Sequence, residues 1–213
     1  MDRRQAIKNL GLGAGFLVVT PTIMSLLQSC TSEVEFTPLF ISKGEGHALR
    51  RIVDLIIPGD DAVPGAVDVG VHSFIDSYWN SVILEEQQAQ VKVGFSLLAE
   101  KFRSTFNKEL EAGKSEEYDQ LLATYLKTTK EQQKAYDKKM SEFYVAFKKD
   151  PSVLPDSDAG IYSFLTNIRS MTIWGWKESE EIGENVLWYD PIPGQQKGCI
   201  PLSEAGNGNV MSL

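Results

Sequence analysis

The sequence predicts an all-α protein, a single bundle of about six helices with an irregular C-terminal segment rich in glycine, proline and aromatic residues. Three observations lead there. Apolar residues recur at three- and four-residue spacing through most of the chain, and capping residues stand ahead of those runs. No stretch worth assigning alternates apolar and polar residues as a half-buried strand does. A chain of 213 residues is long enough for one domain with a substantial core. Hydrophobic and charged fractions of 42% and 23% are those of a globular chain rather than a disordered one.

Residues 1–30 read as an export signal. Arg3, Arg4 and Lys8 precede an apolar stretch from Leu10 to Leu27, the order of a charged region followed by a hydrophobic one. Glycines 11, 13 and 15 and Pro21 make that stretch a poor permanent span. It closes in Leu26-Leu27-Gln28-Ser29-Cys30, which resembles a lipobox, and Arg3-Arg4 with Ile7-Lys8 resembles a twin-arginine motif. The expectation is export through that route and lipid attachment at Cys30; the rival is an uncleaved anchor. Gly11-x-Gly13-x-Gly15 is no dinucleotide loop, because no strand precedes it and Phe16 stands in place of the last glycine.

Residues 31–41 form a polar, proline-containing tether, and 42–213 the helical domain, irregular from about 177. Ser42 and Glu45 make a capping box for a helix with Leu49, Ile52, Val53 and Ile56 on one face, stopped at Pro58-Gly59. A loop from Asp60 to Ala66 leads to a second helix carrying Val67, Val71, Phe74, Ile75 and Tyr78. Leu84 to Phe106 is one long amphipathic helix, and Glu109 to Gly113 a break. Ser115 is expected to cap the next helix and Thr129 with Gln132 to form a second capping box. Asp150-Pro151 ends that element, and Ser157 is expected to cap a last long helix through Met171.

Charge excludes some functions. Without residues 1–30 the chain loses three basic side chains and one acidic one, leaving 18 against 28 and a net charge of −10. That argues against nucleic acid and against a polybasic membrane patch. Cys30 and Cys199 are the only cysteines, so a lipidated Cys30 leaves one thiol, no internal disulfide and no thiolate-bound cluster.

Candidate chemistry is sparse. His72 with Asp68 and Asp76 sits at helical spacing and offers a ligand set, although a surface helix with ordinary charges is the favoured reading. Asp60 and Asp61 offer a cation site or an acid/base pair, with a solvated turn favoured. Neither a nucleophile elbow, a phosphate loop nor a zinc-protease motif occurs. No catalytic, cofactor or metal residues are therefore assigned. Aromatic and backbone-special residues instead crowd the end of the chain, from Trp174-Gly175-Trp176 and Ser179 through Gly183, Trp188, Tyr189 and Pro193. They suit either a partner surface or the core.

Ile56-Ile57-Pro58-Gly59-Asp60-Asp61-Ala62-Val63-Pro64-Gly65-Ala66, with Gly70-Val71-His72-Ser73-Phe74-Ile75-Asp76, resembles the opening motif of the gluconate 2-dehydrogenase subunit 3 family. Thr172-Ile173-Trp174-Gly175-Trp176-Lys177-Glu178-Ser179 and Tyr189 to Gly194 resemble its closing region. Trp176 stands where a phenylalanine or tyrosine is usual. The resemblance spans about 45–202 and is anchored at both ends.

It implies a small accessory subunit of a membrane-associated, flavin-dependent sugar or polyol dehydrogenase. FAD belongs to the large, GMC-type partner subunit and not to this chain; a cytochrome subunit, where present, takes the electrons. The small subunit carries the export signal and supports assembly, so the product faces the periplasm, held by lipid to the inner or outer membrane. The expected partner surface comprises Pro58, Asp60, Asp61, Pro64, Gly65 and Phe74 from one motif and the aromatic tail from the other. Two rivals remain. Asp60, Asp61 or His72 contributes to a shared active site, or a stand-alone lipoprotein binds a small ligand or carbohydrate through Trp174, Trp176 and Trp188.

Overall fold

The computed structural model describes residues 36–189, 194–195 and 198–211. Arg3, Arg4, Cys30 and Pro193 lie outside them. The helical bundle is the unit from Thr37 onward. Its helices are α1 (Lys43–Ile56), α2 (Val71–Ser81), α3 (Glu85–Phe106), α4 (Ser115–Leu126), α5 (Lys130–Phe147), α6 (Ser157–Lys177) and the short α7 (Glu180–Asn185). The described residues are all-α, with one isolated bridge between Trp188 and Met211.

α6 is the hub, meeting each of the other six helices. Such a position demands apolar or small residues on several sides, and α6 buries Ala159, Gly160, Ile161, Phe164, Leu165 and Ile168. Thr172 is buried too, its hydroxyl donating back to the Ile168 carbonyl at 2.8 Å. Phe164 enters the space above Gly94 of α3, where a Cβ would overlap its ring. From there an aromatic chain runs through the core. Phe164 meets Phe95 at 4.8 Å between ring centres, and Phe95 meets Trp79 edge-on at 5.9 Å.

Local chemistry sets the helix ends. The Ser42 hydroxyl accepts from the Glu45 amide, and the Glu45 carboxylate accepts from the Ser42 amide at 2.7 Å, the reciprocal box expected there. Elsewhere the cap moves by one residue. Ser115 is the first residue of α4, and the Glu117 carboxylate accepts instead from the amide of Lys114, the true N-cap. Ser157 likewise opens α6 behind Asp156, whose carboxylate accepts from Ala159. At α6 the Asp156 carboxylate takes the amide that a serine hydroxyl would cap, and at α4 the Glu117 carboxylate makes the reach back to the N-cap amide alone. Only the first half of the box at Thr129 forms as expected: its hydroxyl accepts from Gln132, while the reach back comes from Gln133 to the Thr128 carbonyl.

Two boundaries are corrected. α2 starts at Val71 and not at Val67, because Gly70 takes a left-handed φ of 76° and the preceding residues form a turn. The C-terminal segment is less irregular than expected: it contains α7 and two 3-10 turns, Leu202–Glu204 and Gly206–Gly208.

The tether ends in a clasp. Asp76 is 1% exposed, and its carboxylate accepts backbone N–H groups from Leu39 at 2.6 Å, Phe40 at 3.1 Å and Ile41 at 3.2 Å. A buried carboxylate is tolerated where amides satisfy it. Asp76→Ala leaves three amides without that acceptor and should cost about 3 kcal/mol or more in urea unfolding, with Asp76→Asn intermediate. His72, 8% exposed on the same helix, is held below its ordinary value of 6.5 by burial first and by the charge of Arg50 second. The fold therefore prefers the neutral ring. The stability this contributes is whole above pH 6.5 and is lost as the pH falls from there through the lowered folded value. A His72→Gln variant should flatten that acid limb of the urea midpoint.

Candidate functional site

The two ends of the chain that carry the motifs meet on one face of the bundle. Residues 57–70 between α1 and α2 form a tight loop, closed by the Ala66 amide donating to the Ile57 carbonyl at 2.9 Å. Asp60 makes an Asx turn, its carboxylate accepting from the amides of Ala62 and Val63, both at 2.8 Å. Those bonds hold its carboxyl below the ordinary carboxylate value. Asp68 accepts from the Gly65 amide at 2.8 Å. Inside the loop Gly65 lies against Gly59 so closely that a Cβ on either would strike the other's backbone.

α6 locks this loop from outside. The Trp176 indole N–H donates to the Pro64 carbonyl at 2.9 Å, across 112 residues of sequence. One residue earlier, Gly175 allows α6 to approach α2: a Cβ there would press on Phe74 and Val71 at 3.1 and 3.2 Å. Trp174 then turns outward, 46% exposed, edge-on to Phe74 at 5.3 Å and to Tyr78 at 6.0 Å. Phe74 is itself 39% exposed. The outcome is a preorganised aromatic platform on a rigid base.

The expected partner residues thus divide by role. Pro64, Gly65, Gly175 and Trp176 build the base; Phe74 and Trp174 present the surface. Pro58, Asp60 and Asp61 are exposed on the loop beside them. Ser179 donates its hydroxyl to the Trp176 carbonyl and accepts the Gly183 amide through its own carbonyl, tying α7 to α6. Trp188 goes elsewhere: its ring covers Gly206 and its amide donates to the Val210 carbonyl at 2.8 Å, beside exposed Tyr189. The three tryptophans therefore do not share one platform.

The proposed ligand set of His72, Asp68 and Asp76 does not assemble, because Asp76 is committed to the tether and Asp68 to Gly65. Its rival, an ordinary surface helix, is also corrected: His72 and Asp76 are buried. Among the described residues no group of three or more His, Cys, Asp or Glu is placed to hold a metal, and no helix is long and apolar enough to cross a membrane.

An apolar groove of about 670 Å³ adjoins the platform, walled by α3, α5 and α6. Tyr78, Val93, Phe143, Phe147, Phe164 and Trp174 are among the residues that line it. α5 contributes one buried residue, Met140, so Phe143 and Phe147 are half-buried and Tyr144 is 42% exposed. In the sequence Met140, Phe143, Tyr144 and Phe147 recur at helical spacing. Periodicity identifies an apolar face without saying whether protein covers it. The groove's sparse polar lining does not fit a dinucleotide's phosphates, which want clustered amides or basic groups. No flavin step is assigned to this chain.

Packing here makes the base testable. Gly65→Ala forces the loop apart and should destabilise the fold by about 2 kcal/mol. Trp176→Phe, losing one buried hydrogen bond while keeping an aromatic ring, should cost about 1 kcal/mol. Urea titration measures both.

The sequence model of the family Gluconate 2-dehydrogenase subunit 3 matches residues 43–194. No curated protein and no solved structure matches the chain. The matched span opens with α1 and takes in both motif regions, whose meeting point is the platform and its base. The chain belongs to the gluconate 2-dehydrogenase subunit 3 family.

Proposed function

We propose that this subunit escorts and stabilises a flavin-dependent sugar or polyol dehydrogenase, and that the aromatic platform is its principal docking surface. The observation that carries the reading is the exposure of Trp174 and Phe74 on a base held by Trp176, Gly175 and Gly65. Large exposed aromatics fixed against one another lose little entropy on binding, the property of interface anchors. Family membership supplies the context, since a subunit requires a partner.

The signal read at Arg3-Arg4 complements it. Twin-arginine export serves cargo that crosses already folded, and this chain shows no cofactor motif of its own. The folded cargo is therefore the FAD-carrying subunit, with this chain supplying the export address and Cys30 the lipid anchor on the periplasmic side. A cytochrome subunit joins where the complex has one.

Recovery of the tagged full-length chain from its native membranes should bring down a flavoprotein in equal amount, with dehydrogenase activity. A monomer without flavin overturns the reading. Trp174→Ala with Phe74→Ala should lower the unfolding midpoint of the subunit modestly while leaving it folded, since each ring is more than half buried. It should weaken the complex by about 2 kcal/mol or more, roughly thirtyfold in affinity. By contrast, Asp60→Asn and His72→Gln should leave turnover of the assembled complex unaltered. A drop in turnover without loosened assembly would favour a shared active site.

A further inference from the structure

We propose that Asp76 is a positioning residue for the aromatic platform: by clasping the end of the tether on one face of α2, it holds Phe74 and Tyr78 in place on the opposite face. Tether and partner then bind α2 cooperatively. The inference rests on the accessory-subunit reading and concerns how that docking surface is held.

One short helix carries both features. α2 is 11 residues long, roughly 16 Å. Asp76 is two residues from Phe74 and two from Tyr78, about 200° around the axis from either. Phe74 and Tyr78 share a face, with ring centres 6.0 Å apart, and meet Trp174 there. The Asp76 carboxylate is 1% exposed and receives the three successive amides of Leu39, Phe40 and Ile41. A helix this short moves as a rigid rod, so what shifts one face shifts the other.

The end of the tether is itself anchored from more than one side. Phe40 lies under the Lys92 ammonium of α3, 4.7 Å from the ring centre. Ile41 is buried in the core, and Ser42 caps α1. Residues 39–42 therefore link α1, α2 and α3 before the chain enters its first helix. If they lift away, a desolvated carboxylate loses its three donors and regains hydrogen bonds only by reaching water. That requires α2 to turn or tilt, which carries Phe74 and Tyr78 out of register with Trp174 on α6. A partner that grips the three rings in their present arrangement opposes the movement. The coupling is reciprocal: docking stabilises the clasp by the factor by which the clasp strengthens docking.

Hydrogen exchange of the wild-type subunit, alone and in the complex recovered from native membranes, tests this on peptides spanning residues 39–42. Exchange should be slower in the complex by about fivefold or more, although these amides lie on the face of α2 away from the rings. Asp76→Asn keeps the side-chain shape without the charge and should weaken assembly by about fivefold or more. Tyr118→Phe, which loses a buried hydrogen bond to the Leu110 carbonyl outside α2 and the tether, should change assembly by less than about twofold. Unchanged exchange in an intact complex overturns the inference, and does so even if Asp76→Asn fails to fold. Full affinity in a folded Asp76→Asn subunit, or an equal loss in Tyr118→Phe, also overturns it. A complex that survives Phe74→Ala with Trp174→Ala removes the platform, and a wild-type subunit that recovers no flavoprotein removes the accessory reading itself.

Discussion

The bundle depends on one helix that touches all the others. α6 has few sides to spare for water along its middle, so its residues must be apolar or small in several directions at once. Phe164 fills the space above Gly94, and Gly160 faces Leu97 where a Cβ would come within 2.7 Å. These contacts set how near α3 can come. The same helix then emerges from the core carrying Gly175 and Trp176 to the loop after α1 and Trp174 to the surface. Core packing and the presentation of the platform are therefore consequences of one element's register, and an error of a single position in α6 would displace both.

The loop at residues 57–70 shows how a polar, glycine-rich stretch becomes rigid without regular structure. Asp60 and Asp68 accept from the loop's own amides, Gly59 and Gly65 touch, and an indole from the far end of the chain closes it. Asp60 serves loop geometry, which accounts for one of the two acids beside the prolines without invoking a metal or a proton transfer. Asp76 is a parallel case on α2: a charge sits inside the protein because three consecutive amides of the tether need an acceptor.

Much of the fold was legible in the sequence because it is local. Helical spacing located every long helix, and Ser42 with Glu45 announced α1 to the residue. Caps were misread by one position at Ser115 and Ser157: Asp156 takes the amide a serine would cap at α6, and Glu117 binds the Lys114 amide at α4. The two regions later found together were each conspicuous. Their union was not legible, since Trp176 and Pro64 are 112 residues apart and an indole donor carries no mark of its acceptor. Tyr78 could have been added to the platform from its i,i+4 spacing to Phe74. The tether's grip on Asp76 had no sequence signal at all: its partners are backbone amides.

α5 has a property that follows from its shallow anchoring. It packs chiefly on α6, buries Met140 alone, and leaves most of its length in water. Detaching it exposes Met140 and the groove faces of Phe143 and Phe147 but leaves the main core closed, so it should open at a lower free energy than global unfolding. Its amides should exchange with solvent while those of α6 remain protected. A groove with one such wall can adjust its width to what enters it.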